Sequence, residues 1–591
     1  MSQSQATTLT HHAMLVAWGQ FAQCIDLIDK TEAVPLHQKA VDHTPNRKVL
    51  EFFVAILGGL AYLKDISLSA HPLDQDQAVA QAWGQAGWAD HSGVSRALSA
   101  LTIEEAQQIV DVLTQVSRPF IDQEVMLTLR DQGKIVYDGD LTGRPVSNNS
   151  TTYPNVAYGH MSDAVQLGYQ AALVSFHSQT YGRQWLSVVP HPGNTVACAQ
   201  AETMVRAAEV KTGVRPRRRT ELLAQRLAQA AAERQHWEAK ATQAEQTLRQ
   251  AQTALQETQQ QLQDWQDKLA QLEKEYQERQ RPERPHSRLA QARSKVDVYQ
   301  RRQVLREKQM AKATAYLQRQ KAHLDQWQVH VQELERRLTQ FEQENGTNPM
   351  PIRAVFRLDA GFGTPENVAL LIEMGYEVYI KPHGTWLKAR LKKQVDAATI
   401  WTPVGQNAEM TAWAAMAVQD FPYPLDIALE RFYTGDKQRL SVLLHYGQDS
   451  VTSALPAWFQ TYNGRQTIEA GIKEGKQVFQ MHHLKVRSEA ALFLQEHLAA
   501  FAANFVRWAA HWLTTQCPQE PEGWQEETLP GVKTQVQVMA HTSAYVEWHE
   551  QGCLLRFTDH SVFTGRSLQV FRQWAYQLVL PLFKSYVFSS I

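Results

Sequence analysis

The chain reads as an α/β core carrying a helical N-terminal domain, an inserted antiparallel coiled-coil hairpin and a β-rich insertion. Three observations predict this class. Residues 134–190 abandon helical spacing for β-branched runs separated by turn residues. Residues 352–381 spell strand, capped helix and strand, the unit of a parallel sheet. Between them, residues 220–341 keep a heptad pattern that two prolines interrupt.

Composition bounds the rest. A chain of 591 residues has room for roughly two to four domains, each with its own core. Hydrophobic residues make up 43% and charged residues 20%, ordinary values for a soluble protein. Net charge is −1, so any nucleic-acid contact has to come from local patches. Cys24, Cys198, Cys517 and Cys553 lie far apart with no CxxC spacing. That argues against a zinc module and a disulfide framework, and fits a reducing compartment. No run of about 18 apolar residues and no signal-peptide pattern occurs, so a cytoplasmic protein without a membrane span is expected.

Residues 1–130 read as helical, with apolar residues at helical spacing from Leu15 to Ile28 and from Val49 to Tyr62. In Ala82–Leu98, Asp90 or Ser92 is placed to cap a helix through Val94 and Leu98. A short helix, a Gly-containing turn and a second helix give the outline of a helix-turn-helix, and equally of a plain helical hairpin. Thr102-Ile-Glu-Glu-Ala106 is a capping box that opens a helix to Val116.

From Lys134 the period changes. Lys134–Thr142 begins a strand whose alternation puts Asp138 and Asp140 on one face. Gly168–Phe176 and Arg183–Pro190 read as two further strands, and Ala197–Lys211 as a helix. Then Ala244, Ala251, Thr258, Trp265 and Leu272 repeat every seven residues. Leu248, Leu255, Leu262, Leu269 and Tyr276 do the same four residues later, completing an a/d seam. Arg281–Ser287 breaks the pattern with two prolines. A second seam follows, with Leu317, Leu324, Val331 and Leu338 beside Trp327, Leu334 and Phe341. Two such helices fold back as an antiparallel hairpin reaching roughly 80–90 Å, with its ends together. Its polar exterior suits a solvated face or a partner surface. Arg215-Pro-Arg-Arg-Arg219 at its root is a basic cluster suited to phosphate.

After Gly346–Pro351 the globular pattern resumes. Ile352–Asp359 is a strand ending in an acid, Gly361-Phe-Gly363 turns the chain, and Thr364 caps a helix with Pro365 at its first position. Tyr376–Lys381 is the next strand, which leaves Asp359 at a strand's C-terminal end, where open α/β sheets place ligand chemistry. Lys388, Arg390, Lys392 and Lys393 form another basic patch. Residues 395–460 look strand-rich, as in Leu440–Tyr446, and Ala490–Trp512 is an apolar helix. Thr534–Phe563 alternates as a small antiparallel unit before a last helix near Leu568–Val579.

The stretch Tyr462–Lys476 ties these parts together. On one helix, Tyr462, Arg465 and Glu469 are three and four apart and share a stripe. Lys476, seven after Glu469, falls near the same stripe. A solvated face with one Arg–Glu pair has the same look. Asp140 and Asp359 add two acids on strands, and carboxylates without Cys or His favour Mg²⁺ or Mn²⁺. Two such ions about 4 Å apart can activate a water or 3′-hydroxyl and stabilise the leaving oxygen of a phosphoryl transfer.

These motifs resemble the DDE transposases of bacterial insertion sequences, whose catalytic core is ribonuclease-H-like. Tyr462, Arg465, Glu469 and Lys476 match the Tyr-x2-Arg-x3-Glu-x6-Lys signature of one subgroup. Asp140-Leu-Thr142 matches the first acid, Arg357-Leu-Asp-Ala-Gly-Phe362 the second, and Pro190-His-Pro-Gly-Asn194 the link to the first core helix. The resemblance implies that Asp140, Asp359 and Glu469 are catalytic and hold two Mg²⁺ or Mn²⁺ ions. Tyr462, Arg465 and Lys476 would bind DNA phosphates near the transposon end. It also implies double-stranded DNA as partner and substrate, and a homodimer that brings two ends together. Asp140 is preferred to Asp138 because of the following x-Thr.

The resulting division is a helical domain with the helix-turn-helix outline over 1–130, core over 131–212, 349–394 and 461–515, the coiled-coil hairpin over 213–348, the β-rich insertion over 395–460 and a small α+β segment over 516–591. Two other functions fit parts of the chain. One is a domesticated nuclease that cuts but no longer integrates. The other is a non-enzymatic coiled-coil scaffold that bridges DNA. A coiled-coil ATPase is disfavoured because no GxxxxGK[ST] loop is present.

Overall fold

The structure, a computed structural model, describes residues 7–572 apart from 40–41, 162–163, 196, 436, 484, 518, 520–523 and 525–528. The chain divides into two units, one of residues 1–217 and 350–591 and one of residues 218–349. No helix among the described residues is long and apolar enough to cross a membrane.

The N-terminal part opens on a strand, β1 (Thr7–Thr10), and not on a helix. The single helix expected over 15–28 is two, α1 (Ala13–Cys24) and α2 (Leu27–Glu32), because Asp26 takes a left-handed φ of 56°. α3 (Pro45–Leu57) starts at a Thr44 cap with Pro45 at its first position. α4 (Asp65–Leu68), α5 (Gln77–Ala82) and α6 (His91–Ser99) follow. Asp90 caps α6 as expected, accepting from the Gly93 N–H at 2.6 Å. The link Trp83–Asp90 is longer than the three- or four-residue turn of a helix-turn-helix. α7 (Ile103–Gln132) has the Thr102–Glu105 capping box but does not stop at Val116. It runs through Pro119 because Phe120, Ile121 and Val125 continue its buried face. Burying those side chains, at about 1.5–3 kcal/mol each, offsets the proline's roughly 3 kcal/mol.

The next strands are β2 (Ile135–Pro145), β3 (Ala157–Met161), β4 (Ala164–Ser178) and β5 (Gly182–Pro192), before α8 (Ala201–Thr212). β3 is a short strand that sequence periodicity passes over.

The second unit is a helical hairpin of α9 (Thr220–Glu278) and α10 (Arg288–Gly346), 59 residues each. At 1.5 Å per residue each helix is about 88 Å long. Leu223, Ala244, Leu255 and Leu262 of α9 are buried, as are Val331, Leu334 and Phe341 of α10, so the expected seams form. Ser287 caps α10 through the Ala290 N–H at 3.2 Å. Arg218, expected to meet phosphate, is instead buried and pairs with Glu344 at 2.6 Å.

Then come β6 (Ala354–Leu358), α11 (Pro365–Glu373), β7 (Glu377–Ile380) and α12 (Trp386–Lys392). The Thr364 cap and Pro365 start of α11 are as expected. Four antiparallel strands follow: β8 (Thr402–Gly405), β9 (Ala408–Met416), β10 (Leu425–Thr434) and β11 (Lys437–Tyr446). α13 (Leu455–Asn463), α14 (Gln466–Val478) and α15 (Glu489–Thr515) lead to α16 (Val532–Gln537), β12 (Ala544–His549), β13 (Gly552–Phe557) and β14 (Ser567–Phe571). The helix expected from Leu568 is a strand at Leu568–Phe571, and its remaining part, 573–579, lies outside the described residues.

Two sheets organise the first unit. The smaller is β1-β12-β13-β14, so the N-terminal strand closes the C-terminal meander. The larger has ten strands. β2, β4 and β5 are antiparallel neighbours, and β2 lies parallel to β6, which lies parallel to β7. β11 adds antiparallel to β7 and carries β10, β9 and β8, so the expected insertion extends the same sheet. α15 packs on β5, α7 and α3. Its Asn504 side chain bonds both backbone groups of Trp185, at 2.8 Å each, where β5 bulges.

Candidate active site

Asp140 and Asp359 meet because of sheet register. β2 and β6 pair in parallel with Asp138 opposite Arg357. Asp140 lies two residues beyond that pair on β2 and Asp359 two residues beyond it where the chain leaves β6, near enough for the Asp140 carboxylate to act on Asp359. Asp359 follows directly on β6, and its carboxylate accepts from the Gly361 N–H at 3.0 Å to start a 3₁₀ turn. Burial raises its pKa, the Asp140 carboxylate raises it further, and Arg465 with the Gly361 and Phe362 N–H groups pulls it back. Two like charges in a half-dry place are unfavourable until a cation joins them.

The signature residues do not lie on one helix. Tyr462 belongs to α13, the chain turns at Gly464, and Arg465 stands at the start of α14 with Glu469 and Lys476 on that helix. Tyr462, expected at a DNA phosphate, is a core residue with Trp458, Tyr379 and Met410. Its hydroxyl donates to the Leu358 carbonyl at 3.3 Å, one residue before Asp359, and burial raises its pKa. The Lys381 ammonium lies 5.3 Å over its ring.

Arg465 is the hub. One guanidinium nitrogen donates to Asp140 at 3.0 Å and another to Glu469 at 2.8 Å. Burial works against its charge, yet Asp140, Tyr462 and Asp359 hold its pKa above the usual value. Glu469 is 58% exposed on its side chain, turned to Arg465. Lys476 is half-buried, and burial, then Arg144, lowers its pKa while Asp140 opposes.

Among the described residues, no three His, Cys, Asp or Glu are arranged to hold a metal ion. The structure therefore brings Asp140 and Asp359 together and links Glu469 to Asp140 through Arg465. The two adjacent carboxylates still fit a hard divalent ion, being oxygen donors that repel each other. No family model matches the chain, and no curated protein matches it.

Three neighbouring residues take structural roles that the sequence does not assign. Asp138, the rival first acid, is fully buried and held by Arg357 at 2.6 and 2.8 Å, with Arg183 at 3.9 Å. Arg357 also donates to the Thr461 carbonyl at 2.7 Å, tying β6 to the end of α13. Arg144 forms a buried two-pronged pair with Glu496, at 2.8 and 2.9 Å, and bonds the Thr142 hydroxyl at 3.0 Å. The available signal was alternation, since Asp138, Asp140, Thr142 and Arg144 fall on one face of β2.

Proposed function

We propose that the protein is a metal-dependent DNA transposase of the DDE type, cutting and joining DNA at the ends of its own element. The carrying observation is that Asp140 on β2 and Asp359, just past the end of the parallel neighbour β6, lie near enough to act on each other's charge, with Arg465 bonded to Asp140 and Lys476 close to it. The order β5-β4-β2-β6-β7, three antiparallel strands joined to two parallel ones, supports a ribonuclease-H-like core. Bound Mg²⁺ or Mn²⁺ would supply an activated attacking oxygen and charge for the leaving one.

Asp140 and Asp359 would hold metal through oxygen, with Glu469 as third acid. Tyr462 braces the Leu358 carbonyl and so fixes the backbone that carries Asp359. Arg465 holds Asp140 and Glu469 in the absence of DNA. A phosphate that takes over its guanidinium releases both carboxylates, because a bidentate Arg–phosphate pair matches Arg–carboxylate in strength. Lys476 adds a second cation for the same phosphates. Bringing two DNA ends together calls for a homodimer.

The test uses purified protein, Mg²⁺ or Mn²⁺, and linear DNA carrying the sequences that flank the gene. Strand cleavage is mapped for wild type, Asp140→Asn, Asp359→Asn and Glu469→Gln. Metal-dependent cuts at the element boundary by wild type alone are expected. Specific binding without any cut would return the reading to a coiled-coil DNA-bridging protein.

A further inference from the structure

Charge is distributed unevenly on the hairpin. Between Arg279 and Lys321 the chain carries thirteen Arg and Lys against three acids, Glu283, Asp297 and Glu307, although the whole protein has a net charge of −1. The facing stretch of α9, Glu245–Glu278, holds seven acids and three bases. The two helices do not simply neutralise one another. In this stretch Arg293 pairs across with Glu273 at 2.9 Å and Lys321 with Glu245 at 2.7 Å. Arg301, Arg302, Arg306, Lys308 and Lys312 are all exposed, and none has a carboxylate partner among the described residues.

Their spacing makes a surface of them. Arg288, Lys295, Arg302 and Arg306 follow steps of seven, seven and four, one row along α10. Arg301, Lys308, Lys312 and Arg319 follow steps of seven, four and seven, a second row. Both rows avoid the buried seam of Leu289, Ala292 and Val296. Between them lie exposed Val298, Leu305 and Tyr316, apolar enough to rest on deoxyribose. From Arg288 to Arg319 the rows run about 47 Å at 1.5 Å per residue. That matches roughly 14 base pairs at 3.4 Å each.

We propose that this face of α10 is a DNA-binding arm that tracks the phosphate backbone of duplex DNA without reading its bases. A surface of Arg and Lys with no base-reading geometry binds by counterion release. The choice of DNA over other polyanions rests on the transposase reading.

The test is the salt dependence of full-length protein binding to a 40-base-pair duplex of arbitrary sequence, with no metal present. Wild type is compared with a variant carrying Arg301→Gln, Arg302→Gln, Arg306→Gln, Lys308→Gln and Lys312→Gln. Loss of three to five phosphate contacts should reduce the slope of log K against log salt by roughly 3–4 in the five-fold variant. A slope unchanged by the five substitutions overturns the arm while leaving the transposase reading intact. Normal arm-dependent binding with no cleavage in the earlier assay overturns the transposase reading and leaves the arm. Light scattering of both proteins covers the rival occupant, the acidic α9 of a second copy. Self-association lost in the variant, with DNA binding retained, overturns the arm in favour of a dimer contact.

Discussion

On β2, Asp138 and Asp140 share a face but not an environment. Asp138 is enclosed by Arg357 and Arg183, while Asp140 is paired with Arg465. Removing one partner of a buried ion pair leaves the other charge stranded, so Asp138→Asn should destabilise the protein by about 3–5 kcal/mol. Asp140→Asn should cost far less, because it also relieves repulsion with Asp359. Asp359 behaves in the opposite sense. Its folded pKa lies above the unfolded one, so its ionisation disfavours the fold progressively as pH rises through the ordinary carboxylate range. Asp359→Asn should therefore raise Tm at pH 7, and the gain should vanish below about pH 4, where both forms are neutral. Thermal melts of the three variants from pH 3 to 8 test the set. Strand alternation identified the shared face of the two acids. It could not rank them, because the deciding arginines come from β5 and β6, far along the chain. Tyr462 was misplaced for a similar reason: spacing gives a stripe but not which side of it becomes core.

At the scale of elements, the joint between α13 and α14 matters most. Gly471 lets α14 lie close on β5, where an added Cβ would come within 2.5 Å of the Arg183 side chain and 3.0 Å of Trp185. Alanine normally gains about 1 kcal/mol over glycine inside a helix. Here the clash should win, since Arg183 is itself buried and bonded to Ser175 and cannot move aside cheaply. Overpacking of this kind costs about 1–3 kcal/mol, so Gly471→Ala should be net destabilising in urea titration. Elements specified by local signals were readable in advance: the heptads of α9 and α10, the Thr102 capping box, the Thr364 cap. Elements defined by distant partners were not. β1 exists because β12 accepts it, and the strand at Ser567–Phe571 exists because β13 does. The α13–α14 break, at a glycine with an ordinary helical φ, carries no strong local stop signal.

For the molecule as a whole, the order of acids along the chain conceals their closeness. The whole hairpin separates Asp140 from Asp359 in sequence, yet the parallel pairing of β2 and β6 brings them near each other. The first unit closes over that interruption on its own. The Ile352 N–H donates to the Arg215 carbonyl at 3.2 Å, and Gly375 leaves room for the Arg217 carbonyl, 2.1 Å from where a Cβ would sit. Replacing residues 218–349 with a short Gly–Ser bridge should thus preserve cooperative melting of the remainder while lowering its affinity for nonspecific duplex DNA. Near-UV circular dichroism and a binding titration report the two effects separately. A helical pair with a fixed rise per residue is also an adjustable spacer. Deleting one heptad from α9 and the facing heptad from α10 shortens it by about 10.5 Å without disturbing the seam. Each such cut should draw in the protected length of DNA by roughly three base pairs, so that graded truncation would turn the hairpin into a molecular ruler.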